Sequence, residues 1–205
     1  PIRRTVTLAA NSLYSMYNTL SSGVSATDTI LPITSASAGN FNKLAPFVVK
    51  IGTEEIYVPY VDTGANTLGA AGSPCIRGYN STAAATHATS SAVSSSWMIV
   101  ADNANGATLG DFVTFSGATA FDGFTAGEIN QEFQIGAIST NYIGVDIGVW
   151  ATSAANGGGA STVAEYQIAT GLAYTTLYNG WGAGPWGIGH GWGTGYSGVG
   201  IAEEL

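Results

Sequence analysis

Pro46-Phe47-Val48-Val49-Lys50-Ile51-Gly52-Thr53-Glu54-Glu55-Ile56-Tyr57-Val58-Pro59-Tyr60-Val61-Asp62, followed by a polar turn and then Cys75-Ile76-Arg77-Gly78-Tyr79-Asn80-Ser81-Thr82-Ala83-Ala84-Ala85-Thr86-His87, is the stretch on which the fold turns. In an extended chain Phe47, Val49 and Ile51 share one face, and Val48, Lys50 and Gly52 share the other. After a turn at Gly52-Thr53 the alternation resumes through Ile56, Val58 and Tyr60. Period-two alternation on both sides of a short turn predicts a hairpin. Cys75 to Tyr79 is long enough for a third strand that leaves through Gly78.

The same residues carry a resemblance. The pieces "IGTEEIYV" and "IRGYNSTAAATH" resemble a small β-module of tail and baseplate proteins of tailed bacteriophages. In that module a threonine-rich strand, here Thr27-Asp28-Thr29-Ile30-Leu31-Pro32-Ile33-Thr34, leads into the hairpin. The likeness spans residues 24–101, and the family usually has glycine where this chain has Ser81.

The composition points the same way. Charged residues are 9% of the 205-residue chain, far below the usual quarter, against 45% hydrophobic residues and 29 glycines. So little charge suits a protein that buries much of its surface in an assembly. All five bases (Arg3, Arg4, Lys43, Lys50, Arg77) precede position 78, where four acids leave a net of +1. Beyond it stand nine acids and no base, which completes the formal −8. Nothing in that part neutralises phosphate, so no nucleic-acid partner is expected. No apolar run is long enough to span a membrane as a helix, and no membrane partner is expected. The opening residues lack the apolar core of a signal peptide, which predicts synthesis in a bacterial cytoplasm.

Read in order, residues 1–23 form an N-terminal arm. Arg4 to Leu8 alternates like an edge strand, and Asn11 or Ser12 is placed to cap a short helical turn through Tyr17. Such an arm either adds a strand to a neighbouring subunit's sheet or packs on its own module. Residues 24–102 are a first β-module, closed by a strand at Trp97 to Ala101 after the low-complexity stretch from Ser81 to Ser96. Residues 103–170 are a second β-module, with strands at Asp111 to Gly117, Glu132 to Ile138, Tyr142 to Ile147 and Val163 to Ile168. Loops rich in glycine, asparagine and serine separate them, as in a small barrel or sandwich. The fold class expected is therefore all-β, with two small barrel or sandwich modules.

The second module's sequence, from "GDFVTFSGATAFDGF" to "STVAEYQI", resembles the β-barrel segment of phage structural proteins that is likened to the first-catalytic-cysteine half-domain of ubiquitin-activating enzymes. That resemblance concerns the barrel alone. Residues 103–205 contain no cysteine, and no ATP-binding glycine loop is present, so no adenylation chemistry follows.

Residues 171–205 form an extended tail rich in glycine and tryptophan. Near-alternate glycines from Gly180 to Gly195 leave one bare face, while Trp181, Trp186, Trp192 and Tyr196 supply anchors for a neighbour. A similar stretch follows the barrel in larger phage tail proteins. Candidate interface residues are these four together with Arg3, Arg4, Tyr14 and Tyr17 of the arm.

Chemistry-bearing patterns are sparse. Glu54 and Glu55 are adjacent, so a strand points them to opposite sides and they do not share a glycosidase cleft. His87 has no second histidine or cysteine nearby to complete a metal site and reads as a hydrogen-bonded structural residue. Cys75, the only cysteine, reads as a small buried hydrophobe. No Gly-x-Ser-x-Gly elbow or EF-hand loop occurs. The expectation is a non-enzymatic structural protein of a tailed-phage virion, tail-associated, with no cofactor. Its partners are copies of itself and other virion proteins. The alternatives are a capsid-surface decoration protein and an adhesin whose aromatics bind host surface glycans.

Overall fold

The computed structural model of the protein describes residues 2–168. It is all-β, with several antiparallel sheets, none of them closed. In chain order the strands are β1 (Ile2–Thr7), β2 (Leu13–Thr19), β3 (Leu31–Pro32), β4 (Phe47–Ile51), β5 (Glu54–Val58), β6 (Val61–Asp62), β7 (Thr67–Leu68) and β8 (Ile76–Tyr79). There follow β9 (Ala92–Ala101), β10 (Phe112–Ser116), helix α1 (Ala126–Ile129), β11 (Glu132–Gln134), β12 (Ala137–Ile138), β13 (Tyr142–Asp146), β14 (Asn156–Gly157) and β15 (Val163–Ile168).

The hairpin is in place as β4 and β5, with Phe47 opposite Val58 and Ile51 opposite Glu54. It belongs to an eight-stranded sheet whose main path runs β12-β13-β9-β4-β5-β8, with β2 and β14 attached through β9. A second sheet runs β1-β15-β10-β11, and a small third one β3-β7-β6.

Strand β9 is the shared wall of two cores. Alternate residues leave it on opposite faces. Val93 and Ile99 join Met16, Leu31, Phe41, Phe47, Val49, Ile56 and Leu68 in the first core. Met98 and Val100 join Leu13, Val113, Phe115, Ile143, Ala164 and Tyr166 in the second. Each large aliphatic side chain so buried contributes about 1.5–3 kcal/mol. Arg3–Ile168 forms one compact unit. Residues 102–106, between the two expected modules, are tied down: Asp102 and Asn105 are buried, and Asn105 Nδ2 donates to the carbonyls of Ser139 (2.8 Å) and Thr140 (3.1 Å).

Local structure departs from expectation in several places, and of the strand expected from Thr27 to Thr34 only β3, Leu31–Pro32, forms. The helical turn expected near residues 11–17 is instead strand β2, paired with β9. The strand is buried on both faces, Leu13 in the second core and Met16 in the first, with Leu20 just beyond its end also in the first, so an unbroken alternation yields a three-and-four spacing that imitates a helix. Strand β9 begins at Ala92, inside the serine-rich stretch, because buried serines find acceptors: Ser95 Oγ donates to Val48 O at 2.7 Å and Ser96 Oγ to Asp146 Oδ1 at 2.7 Å. Finally, α1 interrupts the second module. Its four residues are too short to show periodicity, but its capping box of Thr125 and Glu128 is legible in sequence.

The run from Glu132 to Ile138 splits into β11 and β12 and changes sheets at Gly136. A side chain on that glycine would lie 2.4 Å from the Trp97 ring.

Candidate functional site

Glu54, the first residue of β5, points into the first core and is fully buried, whereas Glu55 lies on the outer face and accepts from Asn80 Nδ2 at 2.7 Å. The two carboxylates are therefore on opposite sides of the strand, as the alternation predicts.

Arg77 reaches Glu54 through a bulge. Glu55 pairs with Tyr79 and Tyr57 with Ile76, so Arg77 and Gly78 together oppose Ile56. Gly78 takes a φ of +61°, and a Cβ there would meet Thr82 O at 2.9 Å. The bulge leaves Ile76 exposed and turns Arg77 inward, its side chain 6% exposed. The chain then reverses at Asn80 (φ 50°) and Ser81 (φ 64°), closed by Thr82 N donating to Tyr79 O at 3.1 Å. Two left-handed residues in succession are the signature of a type I′ turn. Returning along β8, the chain reaches His87, whose backbone exchanges two hydrogen bonds with Val24.

These segments meet in one ion network. Arg77 Nε donates to Glu54 Oε1 at 2.7 Å and Nη2 to Oε2 at 2.8 Å. The guanidinium's other donors reach the carbonyls of Ser25 (2.8 Å), Asp28 (2.6 Å) and Ala85 (2.6 Å). Glu54 also accepts from the backbone N–H of Gly78 (3.0 Å) and Ala85 (3.1 Å), and lies 2.7 Å from His87 Nε2. An ionised carboxylate only accepts, so His87 carries its proton on Nε2 in this contact. Burial alone would raise the Glu54 pKa, but the hydrogen bonds from Arg77, His87, Ala85 and Gly78 outweigh it and hold the group at about 2.

Chemically this cluster is closed. Every N–H of the Arg77 guanidinium has an acceptor, and the Glu54 carboxylate is ringed by donors. Neither is free to bind a substrate or move a proton. What the arrangement does is clip four separate segments together: residues 25–28, the start of β5, the β8 bulge and the chain before His87. Cys75, beside it, is buried; desolvation pushes its thiol up to about 12 despite the nearby Arg77 charge, so it is unreactive at neutral pH.

A second, looser ion pair serves the other core. Arg4 Nη1 donates to Asp102 Oδ2 at 2.5 Å and Nη2 to Oδ1 at 3.2 Å, while the guanidinium carbon stands 5.2 Å from the centre of the Tyr166 ring. The Asp102 hydrogen bond raises the Arg4 pKa, opposed by some desolvation, and burial followed by the Asp102 charge raises that of Tyr166. Asp102 is 7% exposed, but Arg4 remains 32% exposed.

The interface candidates fall as follows. Arg3 is exposed and meets Glu165 Oε1 at 2.6 Å. Arg4 is engaged as described. Tyr14 is half-buried against the first core with the Lys43 ammonium 4.2 Å from its ring centre, and Tyr17 is half-buried against the second. Trp181, Trp186, Trp192 and Tyr196, with the expected tail at 171–205, lie outside the described residues. Lys50 stands 5.4 Å from the Trp150 ring centre, so all five bases are engaged within the chain. Sequence reasoning did not single out Arg77. The available signal was an arginine followed by a bulge-forming glycine, opposite a strand whose glutamate faces the core.

Among the described residues, no group of three or more His, Cys, Asp or Glu side chains is placed to hold a metal, and no helix is long and apolar enough to cross a membrane. No protein-family model, curated protein or solved structure matches the chain.

Proposed function

We propose that the protein is a non-enzymatic structural component of a tailed-bacteriophage virion, tail-associated, made in the bacterial cytoplasm and carried in a symmetric assembly of its own copies with other virion proteins. The observation that carries the reading is the convergence of the motif residues. Glu54, Arg77, Gly78 and His87, through which the chain resembles phage tail modules, meet in one buried clip. A motif spent on rigidity suits a scaffold. The low charge content supports it too, since a chain with only 9% charged residues is suited to close packing with neighbours.

The finer architecture belongs to the same proposal. The two cores correspond to two small barrel or sandwich modules joined along β9. The second is wrapped by the β1-β15-β10-β11 sheet on one side and by β13, β9 and β2 on the other. The segment 171–205 supplies contacts to neighbouring subunits.

The test is immunogold labelling of gradient-purified particles, with mass spectrometry of their proteins. Label on the tail is the expected result. Label on the head surface would shift the assignment to capsid decoration. Binding of the isolated chain to host cells, abolished by competing surface glycan, would favour an adhesin. Absence of the chain from purified particles overturns the proposal.

A further inference from the structure

Strand β1 is attached differently from its neighbours. From Arg3 to Thr7 no side chain is fully buried: Arg3, Thr5 and Thr7 are exposed, Arg4 and Val6 half-buried. Its sheet mates β10 and β15 bury Val113, Phe115, Ala164 and Tyr166 completely or nearly so. Beyond its backbone pairing with β15, β1 is held by Arg3 on Glu165, Arg4 on Asp102 and over the Tyr166 ring, and Val6 against the second core. Just past its end it is held by buried Leu8 and by the backbone bonds of Leu8 to Thr162 O (2.8 Å) and Asn11 to Gly159 O (3.0 Å). The joint to β2, residues 9–11, is exposed, with Asn11 at φ 54°. Segments with few buried apolar contacts open at lower free energy than the core does.

The seat that β1 occupies is selective. With β1 lifted, Asp102 gains access to water, but a strand reseated there without a cation would enclose this carboxylate, 7% exposed in the closed molecule, unpaired beside the fully buried Tyr166. An uncompensated buried charge is strongly unfavourable, so the seat calls for a strand carrying a cation at that register. Within this chain the choice is narrow. Arg77 is enclosed by the clip, Lys43 and Lys50 stand against aromatic rings, and Arg3 meets Glu165 on the exposed face. The group that fits is Arg4, supplied either by the same molecule or by another copy.

We propose that β1 exchanges between copies, so that the β1 of one protomer pairs with the β15 of its neighbour and places Arg4 on the neighbour's Asp102. The exchange remakes the contacts of the closed molecule and needs no new surface, which makes it a low-cost route to association. It rests on the self-assembly reading above and specifies which strand links the copies.

Disulfide trapping in the full chain tests it. Arg3→Cys with Glu165→Cys places two thiols on neighbouring exposed positions, while Cys75 stays buried and unreactive. The variant is equilibrated over a range of concentrations, oxidised, and run on a non-reducing gel. Exchange gives a cross-linked dimer or ladder whose ratio to monomer rises about tenfold per tenfold rise in free monomer, by mass action. Mixing chains of two tag lengths then yields a hybrid band. Thiols consumed with only monomer at every concentration overturn the proposal. Sedimentation of the unmodified chain is the check without introduced cysteines, and a concentration-independent monomer there overturns it as well. Label on particles with no exchange product would leave the virion reading standing and remove this one.

Discussion

Each of the two cores is pinned by an arginine on a buried acid, and the pins are built differently. In the first, Glu54 and Arg77 are both enclosed, 0% and 6% exposed, and saturated by backbone groups from three segments. In the second, Asp102 is enclosed but Arg4 is 32% exposed and uses two bonds, both to that carboxylate. A charge inside a saturated cage has no water to fall back on when its partner is lost. A charge at a half-open site does. The first pin therefore acts as a fixed joint and the second as a latch.

The widest gap between them should appear on removing the acid of the clip. Glu54→Gln keeps the shape but leaves Arg77 charged, buried and facing an amide. We expect a loss of about 3–5 kcal/mol, read from the urea midpoint. A loss below about 1 kcal/mol would mean that water enters the clip and that it is no joint.

The next largest effect is acid sensitivity. Glu54 is held at about 2 in the folded protein, below its ordinary value of 4.5. A depressed carboxylate contributes stability that is complete above the unfolded value and is lost as pH falls toward the folded one. Between pH 4.5 and 2 this single group should account for a loss of about 3 kcal/mol. The urea midpoint of the unmodified protein should fall through that window, while Glu54→Gln shows a flatter profile. Parallel profiles would place the acid-labile group elsewhere.

The latch should respond less. Arg4→Gln strands Asp102 at a site that water can reach from the Arg4 side, so about 1–2 kcal/mol is expected. If Arg4→Gln costs as much as Glu54→Gln, the distinction between joint and latch fails.

Why one pin was half-legible and the other not follows from distance along the chain. Glu54, Arg77 and His87 sit within one hairpin-and-return unit, where alternation puts Glu54 and Glu55 on opposite faces and the lack of a second histidine or cysteine nearby marks His87 as structural. Only the bulge at Arg77-Gly78, which reverses the direction of Arg77, was hidden, because period-two counting assumes an unbroken register. Arg4 and Asp102 stand 98 residues apart, and nothing local couples them. The same logic covers β2. Burial on both faces gives Leu13, Met16 and Leu20 a helical spacing, and the partner that completes the strand, β9, lies some eighty residues away.

The smallest predicted effect concerns Ser81, in the turn that follows the bulge. Ser81 holds φ at 64°, the second of two left-handed residues in the turn that carries Arg77 back toward His87. A side chain there costs about 1–2 kcal/mol in backbone strain that glycine avoids. Glycine gives part of that back through the greater freedom of the unfolded chain. Ser81 is exposed, and no side-chain hydrogen bond to it offsets the balance. Ser81→Gly should therefore stabilise the protein by about 0.5–1 kcal/mol, seen as a higher urea midpoint with unchanged slope. The gain should also depend on the joint, because the turn bears strain only while the clip fixes both of its ends. In a Glu54→Gln background the turn is free to relax, and most of the gain should vanish. A full gain in both backgrounds would show that the turn is set by its own residues, and the clip would then hold its neighbours together without dictating their backbone.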